Sequence, residues 1–217
     1  MHIYHSEFPS VKEGDVIGHE FMGIIEDVGS EVSTLRVGDR VVVSAVISDG
    51  TCDYCKKGLF SCCDTTNPSK EMEEMYGHRC AGIFGYGHST GGYEGGQADY
   101  VRVPLADYNC LKVPDELKDE QVLFLSDILC TGWHATELAQ VKEGDIVAVW
   151  GLGPVGMMVC MWAKYKKALK VIGVDCVPDR LLMAQNKLGI DVIDFEKEDV
   201  IERLKVLAPG GPDCGIG

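Results

Sequence analysis

The sequence predicts two folded halves: a small antiparallel or barrel-like β domain over residues 1–125, then an α/β domain with a doubly wound parallel sheet over residues 126–217. Three observations predict it. The first half is rich in Val, Gly and short β-like runs with few helical stretches. The pattern changes near Glu120, where helical composition begins and Ile146–Trp150 forms a short, fully apolar run. From there strand-like and helix-like stretches alternate, as they do in βαβ units.

In the first half, Phe21–Val28, Arg40–Ile47 and Asp99–Val103 read as strands, punctuated by turn pairs at Gly14-Asp15 and Gly38-Asp39. The stretch Gly82–Gly96 is glycine-heavy, holds Phe84, Tyr86 and Tyr93, and reads equally as a surface loop or a substrate-lining one. In the second half, Ala135–Gln140 is helical in composition and Ile146–Trp150 suits a strand buried on both faces. A glycine turn follows, then helix Val155–Lys167, strand Val171–Asp175, helix Asp179–Leu188, strand Asp191–Phe195 and helix Asp199–Leu207. The sequence stops at Gly217, where a further strand is expected to begin.

Composition narrows the function classes. With 20 Lys+Arg against 34 Asp+Glu the net charge is −14, a field that repels nucleic-acid phosphates and anionic lipid, so neither is an expected partner. No apolar run approaches the roughly 20 residues that span a bilayer, and Met1–His5 lacks a secretory signal pattern. Several of the ten cysteines cluster between Cys52 and Cys63, which suits metal thiolates in a reducing compartment better than a disulfide framework. A cytoplasmic location is the expectation.

Gly151-Leu152-Gly153-Pro154-Val155-Gly156 fits G-x-G-x-x-G. It follows an apolar strand, opens a helix and lies 24 residues before Asp175 at the end of the next strand, the context of a dinucleotide-binding turn. Gly151 permits the turn, Gly153 lets backbone approach a pyrophosphate and Gly156 allows close helix–strand contact, while the helix N-terminus with Val155 offers N–H groups to the phosphates. Asp175 is positioned to accept bonds from ribose hydroxyls and to repel a 2′-phosphate, favouring NAD over NADP. Arg180 reads either as packing along the adenosine or as a helix-surface charge.

Cys52, Cys55 and Cys63 have the spacing C-x2-C-x7-C in a polar, turn-rich loop. Three thiolates at these offsets can converge on one tetrahedral zinc, and Asp49, three residues before Cys52, offers a fourth ligand. Cys62 rivals Cys63, and free cysteines in a loop are the alternative. A four-ligand site leaves no position for substrate, so its role would be structural.

Gly18-His19-Glu20-Phe21-Met22-Gly23, followed by Gly29 and Val32, matches G-H-E-x-x-G-x5-G-x2-V. With this motif, the cysteine loop and the glycine turn in order, the chain resembles the zinc-dependent medium-chain dehydrogenase/reductases, the alcohol dehydrogenase family, over essentially its whole length. The stretch Gly91–Pro104 looks like the glutathione-independent formaldehyde-dehydrogenase-like branch. The resemblance implies a GroES-like β-barrel catalytic domain followed by the first half of a Rossmann domain. It implies a catalytic zinc held by His19, with Glu20 beside it, and by Asp127, four residues before Thr131-Gly132, where Cys130 is the local rival in the wrong register. Taken without the family, Asp127 reads as a helix N-cap. Thr131 matches a residue beside the nicotinamide and His2 a proton-relay histidine.

The same resemblance implies a chain truncated at both ends. The first cysteine ligand falls just before Met1, and Asp49 stands where the family's first structural-zinc cysteine does. The implied activity is hydride transfer between a primary or secondary alcohol, or an aldehyde hydrate, and NAD, with zinc as Lewis acid and a homo-oligomer when full length. The rival readings are a zinc-free quinone-reductase-like relative and a catalytically inactive zinc-binding fragment.

Overall fold

The computed structural model describes residues 3–5 and 7–217. The chain divides into two compact units, Met1–Asp127 and Ile128–Gly217.

In the first unit, β1 (Phe21–Ile24) pairs antiparallel with β2 (Arg40–Val43), β3 (Val46–Ile47) pairs with β4 (Gly82–Ile83), and β5 (Cys110–Lys112) returns to the other edge of β2. Short helices α1 (Asp53–Lys56), α2 (Glu71–Tyr76), α3 (Ala106–Asn109) and α4 (Asp119–Val122) interrupt this β framework. The run Val41-Val42-Val43 is β-branched and suits a central strand. Its period-2 alternation divides the core: Val41 and Val43 pack with Leu35, Ile47 and Phe84, while Val42 packs with Val113 and Val122 on the opposite face.

Three expected strands are corrected here. The Phe21–Val28 strand ends at Ile24, because Ile25 still donates to the Asp39 carbonyl but the Asp39 N–H turns back to the Arg36 carbonyl instead of returning the bond. The Arg40–Ile47 strand breaks at Ser44-Ala45, whose N–H groups turn to the carbonyls of Asn109 and Ser126. Asp99–Val103 carries no ladder at all. The pairing falls a few residues earlier, where Gly95, Gly96 and Gln97 donate to the carbonyls of Val16, Gly18 and Ile17.

In the second unit, α5 (Ile128–Leu138) packs along α6 (Pro154–Tyr165), close enough that a Cβ at Gly132 would lie 2.7 Å from Met158 Cβ. Strands β6 (Ile146–Trp150), β7 (Lys170–Asp175), β8 (Asp191–Asp194) and β9 (Cys214–Ile216) form one all-parallel sheet in the order β8-β7-β6-β9. This is the 3-2-1-4 order of a doubly wound fold, whose direction of winding reverses beside β6. The strand expected to follow Gly217 is thus already present as β9. Helix α7 (Pro178–Met183) continues through a π-helical turn at Ala184–Leu188, and α8 (Val200–Leu207) is N-capped by Asp199, which accepts from the N–H groups of Ile201 and Glu202. The core on one sheet face joins Val147, Val149, Leu152, Val159, Cys160 and Ala163. None of the ten cysteines is joined in a disulfide. No helix among the described residues is long and apolar enough to cross a membrane.

Candidate functional site

His19 and Glu20 sit immediately before β1. Gly18, whose carbonyl accepts from Gly96, ties that entry to the glycine-rich segment. Asp127 lies at the end of a 3-10 turn, Leu123–Ser126, which the Ser126 hydroxyl closes onto the Leu123 carbonyl and the Ser126 carbonyl fastens to Ala45 N–H. These two attachments bring residues distant in sequence together: His19 Nε2 lies 3.1 Å from Asp127 Oδ2 and 3.8 Å from Glu20 Oε1. All three offer ligand atoms within 4.8 Å of one another.

Four-coordinate zinc with nitrogen and oxygen ligands holds them about 3.4 Å apart, from bond lengths near 2.1 Å. The His19–Asp127 and His19–Glu20 spacings bracket that value, so the donor set fits such an ion. It also leaves a coordination position uncommitted. Without an ion the group behaves as an ion pair. The hydrogen bond to Asp127 raises the His19 pKa above its ordinary value, burial opposes this, and the charges of Asp127 and Glu20 add to it.

Asp49, Cys52, Cys55 and Cys63 form the second cluster, again within 4.8 Å of one another. Cys52 N-caps α1 and its sulfur accepts from Cys55 N–H, a local turn that aims both thiols to one side. Cys52 Sγ and Cys63 Sγ lie 3.9 Å apart, close to the roughly 3.8 Å that two thiolates on one zinc would show. Cys62 is half-buried and lies outside the cluster.

Asp49 accepts four hydrogen bonds: Oδ1 from the N–H groups of Thr51 and Cys52, Oδ2 from the hydroxyls of Thr51 and Thr65. A carboxylate has about four acceptor positions, so Asp49 reaches a metal only when one threonine hydroxyl turns away. Burial pushes the Cys55 thiol up to about 12, with the neighbouring Cys52 and Asp49 adding to the rise. Burial also works against the Cys63 thiolate, but the hydroxyl and N–H of Thr65 outweigh it and hold that thiol below its ordinary value.

The glycine turn belongs to the second unit. Gly156 sits so close to the turn that a Cβ there would lie 1.8 Å from the Gly151 carbonyl oxygen, which excludes any other residue. At Gly153 a Cβ would meet nothing within 4 Å, leaving its backbone open to a bulky group beside the start of α6. Pro154 at the first helical position leaves no buried N–H to satisfy.

Asp175 at the end of β7 is 4% exposed. Its Oδ2 accepts from Leu152 N–H inside the turn, and its Oδ1 from Cys176 and Val177 N–H. The side chain expected to face ribose hydroxyls therefore also clamps the turn to the sheet. Burial disfavours its charge, yet these three N–H donors and Arg180, 3.6 Å away, outweigh that and lower its pKa. Arg180 is half-exposed beside the turn, and Val155 is exposed at the start of α6. Thr131 lies on α5. His2, expected as a proton relay, lies outside the described residues.

Comparison with known proteins decides the family. The alcohol dehydrogenase GroES-like domain matches residues 1–115. The chain belongs to the alcohol dehydrogenase family. It is 45% identical over 216 residues to a zinc-type alcohol dehydrogenase-like protein of Schizosaccharomyces pombe, covering 99% of this chain and 51% of that protein. It is 37% identical to the glutathione-independent formaldehyde dehydrogenase of Pseudomonas aeruginosa, covering 94% of this chain and 50% of that one. Among solved structures, the alcohol dehydrogenase of Thermus sp. ATN1 superposes with a TM-score of 0.83 at 36% identity, over 97% of this chain and 56% of the other. The chain spans about half the length of these relatives. The first unit thus carries the alcohol dehydrogenase GroES-like domain, and the second is a Rossmann-type parallel sheet.

Reading the sequence missed two participants that the alcohol dehydrogenase fold brings in. Thr65 bonds both Asp49 and Cys63, and only its place two residues after Cys63 hinted at it. Tyr86 packs edge-on against His19, with ring centroids 5.5 Å apart. Its setting in a glycine-rich stretch was visible, but its contact was not.

Proposed function

We propose that this chain is the metal-binding and dinucleotide-binding part of a zinc-dependent, NAD-linked oxidoreductase that interconverts an alcohol, or an aldehyde hydrate, and its oxidised product. The observation that carries the reading is the convergence of His19, Glu20 and Asp127 with one coordination position left over. The names of the relatives support the same reaction class.

His19 and Asp127 would hold a catalytic zinc with Glu20 alongside, and Cys52, Cys55, Cys63 and Asp49 a structural one. When bound, zinc supplies Lewis acidity and the nicotinamide ring accepts the hydride. The chain's own residues do the placing. Gly153 and the first turn of α6 present backbone to the pyrophosphate. Asp175 fixes the shape of that turn, and its negative charge disfavours a 2′-phosphate, which is why NAD is preferred to NADP. Closed on all sides by protein ligands, the cysteine cluster serves to lock its loop.

Metal analysis tests this directly. The full-length protein is expected to retain roughly two zinc ions after dialysis, and this chain by itself at most one held firmly. His19→Ala should lower the content by one, and Cys52→Ser should remove the other. Titration with NAD, followed by quenching of tryptophan fluorescence, should give saturable binding that Gly153→Val abolishes. A chain that binds no metal at His19 but still binds dinucleotide would favour the zinc-free relative and overturn the proposal.

A further inference from the structure

From the packing around His19 we infer that Tyr86 is a positioning residue for the proposed metal centre, fixing the His19 imidazole by ring contact where a hydrogen bond ordinarily does so. The inference rests on the reading of His19 as a ligand.

A ligating histidine usually donates its second ring nitrogen to a carboxylate or carbonyl, which sets the tautomer and the ring plane. In this chain Nε2 faces Asp127 and Glu20. Among the described residues Nδ1 has no hydrogen-bond partner. What the ring does have is Tyr86, edge-to-face at 80° with centroids 5.5 Å apart. Phe8 backs Tyr86 in the same manner, at 5.1 Å and 75°. The three rings form a ladder ending on the imidazole, and aromatic pairs of this geometry contribute beyond their buried area.

The backbone on both sides of Tyr86 is held close to other main chain, on one side at the strand entry and on the other at Ser10. At Gly85 (φ 53°) a Cβ would lie 2.5 Å from Gly18 N and 2.7 Å from Gly18 O, the residue next to His19. At Gly87 (φ 96°) a Cβ would lie 3.1 Å from the Ser10 backbone, and the next N–H, of His88, donates to Ser10 O at 2.9 Å. Gly85 N–H is tied in turn to the Tyr93 carbonyl. Main chain laid on main chain leaves Tyr86 little room to move relative to His19. This gives the glycine-rich stretch a purpose that a flexible surface loop would not serve.

The test compares Tyr86→Phe, Tyr86→Leu and Tyr86→Ala in the full chain. Zinc affinity is measured by chelator competition, and Co(II) replaces zinc for absorption spectra. Phe keeps the ring and should bind within about twofold of the parent. Leu keeps apolar volume but no ring edge, and with Ala it should weaken the His19 site by about tenfold or more, the usual effect of losing a ligand's orienting partner. The Co(II) ligand-field bands of the His19 site should shift in Leu and Ala and be restored in Phe. The thiolate charge-transfer bands of the cysteine site should stay unchanged in all three. Parent-like affinity and spectra for Leu would overturn the inference, even should Ala fail to fold. If His19→Ala leaves the metal content of the parent unaltered, the functional proposal itself fails, a result distinct from any outcome at Tyr86.

Discussion

Replacing Asp175 by Ala tests the claim that one carboxylate holds the glycine turn against the sheet. The side chain is almost fully enclosed and accepts from three backbone N–H groups, Leu152 at 2.7 Å, Cys176 at 2.7 Å and Val177 at 2.8 Å. Each buried donor left without a partner costs about 1–3 kcal/mol. Partial relaxation and entry of water bring the expected total to about 3–5 kcal/mol. Asn at this position keeps an oxygen for Cys176 and Val177 but turns an amide N–H toward Leu152, so it should lose about 1–3 kcal/mol.

All three tryptophans, Trp133, Trp150 and Trp162, lie in the second unit. Urea unfolding followed by tryptophan emission therefore reports that unit alone. The pH dependence gives a second readout. Because the folded pKa is lowered, this carboxylate stabilises the unit above its unfolded value of about 3.9, and the contribution disappears as pH falls through the folded value. The parent should lose stability in that acid range more steeply than the Asn variant. An Ala variant within about 1 kcal/mol of the parent would refute the clamp, since that is less than one unsatisfied donor.

Gly156→Ala places a methyl group on the Gly151 carbonyl, so dinucleotide binding measured by fluorescence quenching should fall at least about tenfold while the first unit's circular dichroism is unchanged. Phe84 is fully buried between Phe21 and Tyr93, and Phe84→Ala should destabilise the first unit by about 3–5 kcal/mol in thermal unfolding. Asp107 accepts from the N–H and hydroxyl groups of both Thr34 and Ser33, which hold its carboxyl far below the usual range. Its contribution is present above the unfolded value and lost on acidification through the folded one, so Asp107→Asn should flatten the acid limb of the first unit's unfolding profile. Burial pushes the Cys160 thiol up to about 12, whereas Cys130 is exposed. Brief alkylation of the native chain, read by peptide mass analysis, should label Cys130 and spare Cys160.

The second unit was the more legible in sequence. Ile146–Trp150 coincides with β6, and Val171–Asp175 begins one residue inside β7. Parallel strands buried on both faces are written as plain apolar runs bounded by turn residues. The first unit was read less well because its partners are remote. Nothing near Ser44 announces that its N–H will turn to Asn109, and nothing near Asp99 shows that pairing will fall at Gly95–Gln97 instead. The candidate metal residues were legible by motif, and spacing alone grouped Cys52, Cys55 and Cys63. The juxtaposition of His19 with Asp127 depends on the Ser126 attachment to Ala45, a tertiary bond without local signature. Tyr86 was invisible as a neighbour of His19 for the same reason.

The two candidate ligand sets draw on very different lengths of chain. Asp49 through Cys63 come from one short local turn, whereas His19 and Asp127 meet only after more than a hundred residues have been brought into register. Closing the longer loop demands about 2 kcal/mol more chain entropy than closing the shorter one, and it waits on strands that pair across the whole unit. During synthesis the cysteine loop can therefore capture an ion while the residues that complete the other centre are still unmade. On the proposed reading, a metal in the cysteine loop would be a folding partner, and one at His19 would arrive at a finished pocket.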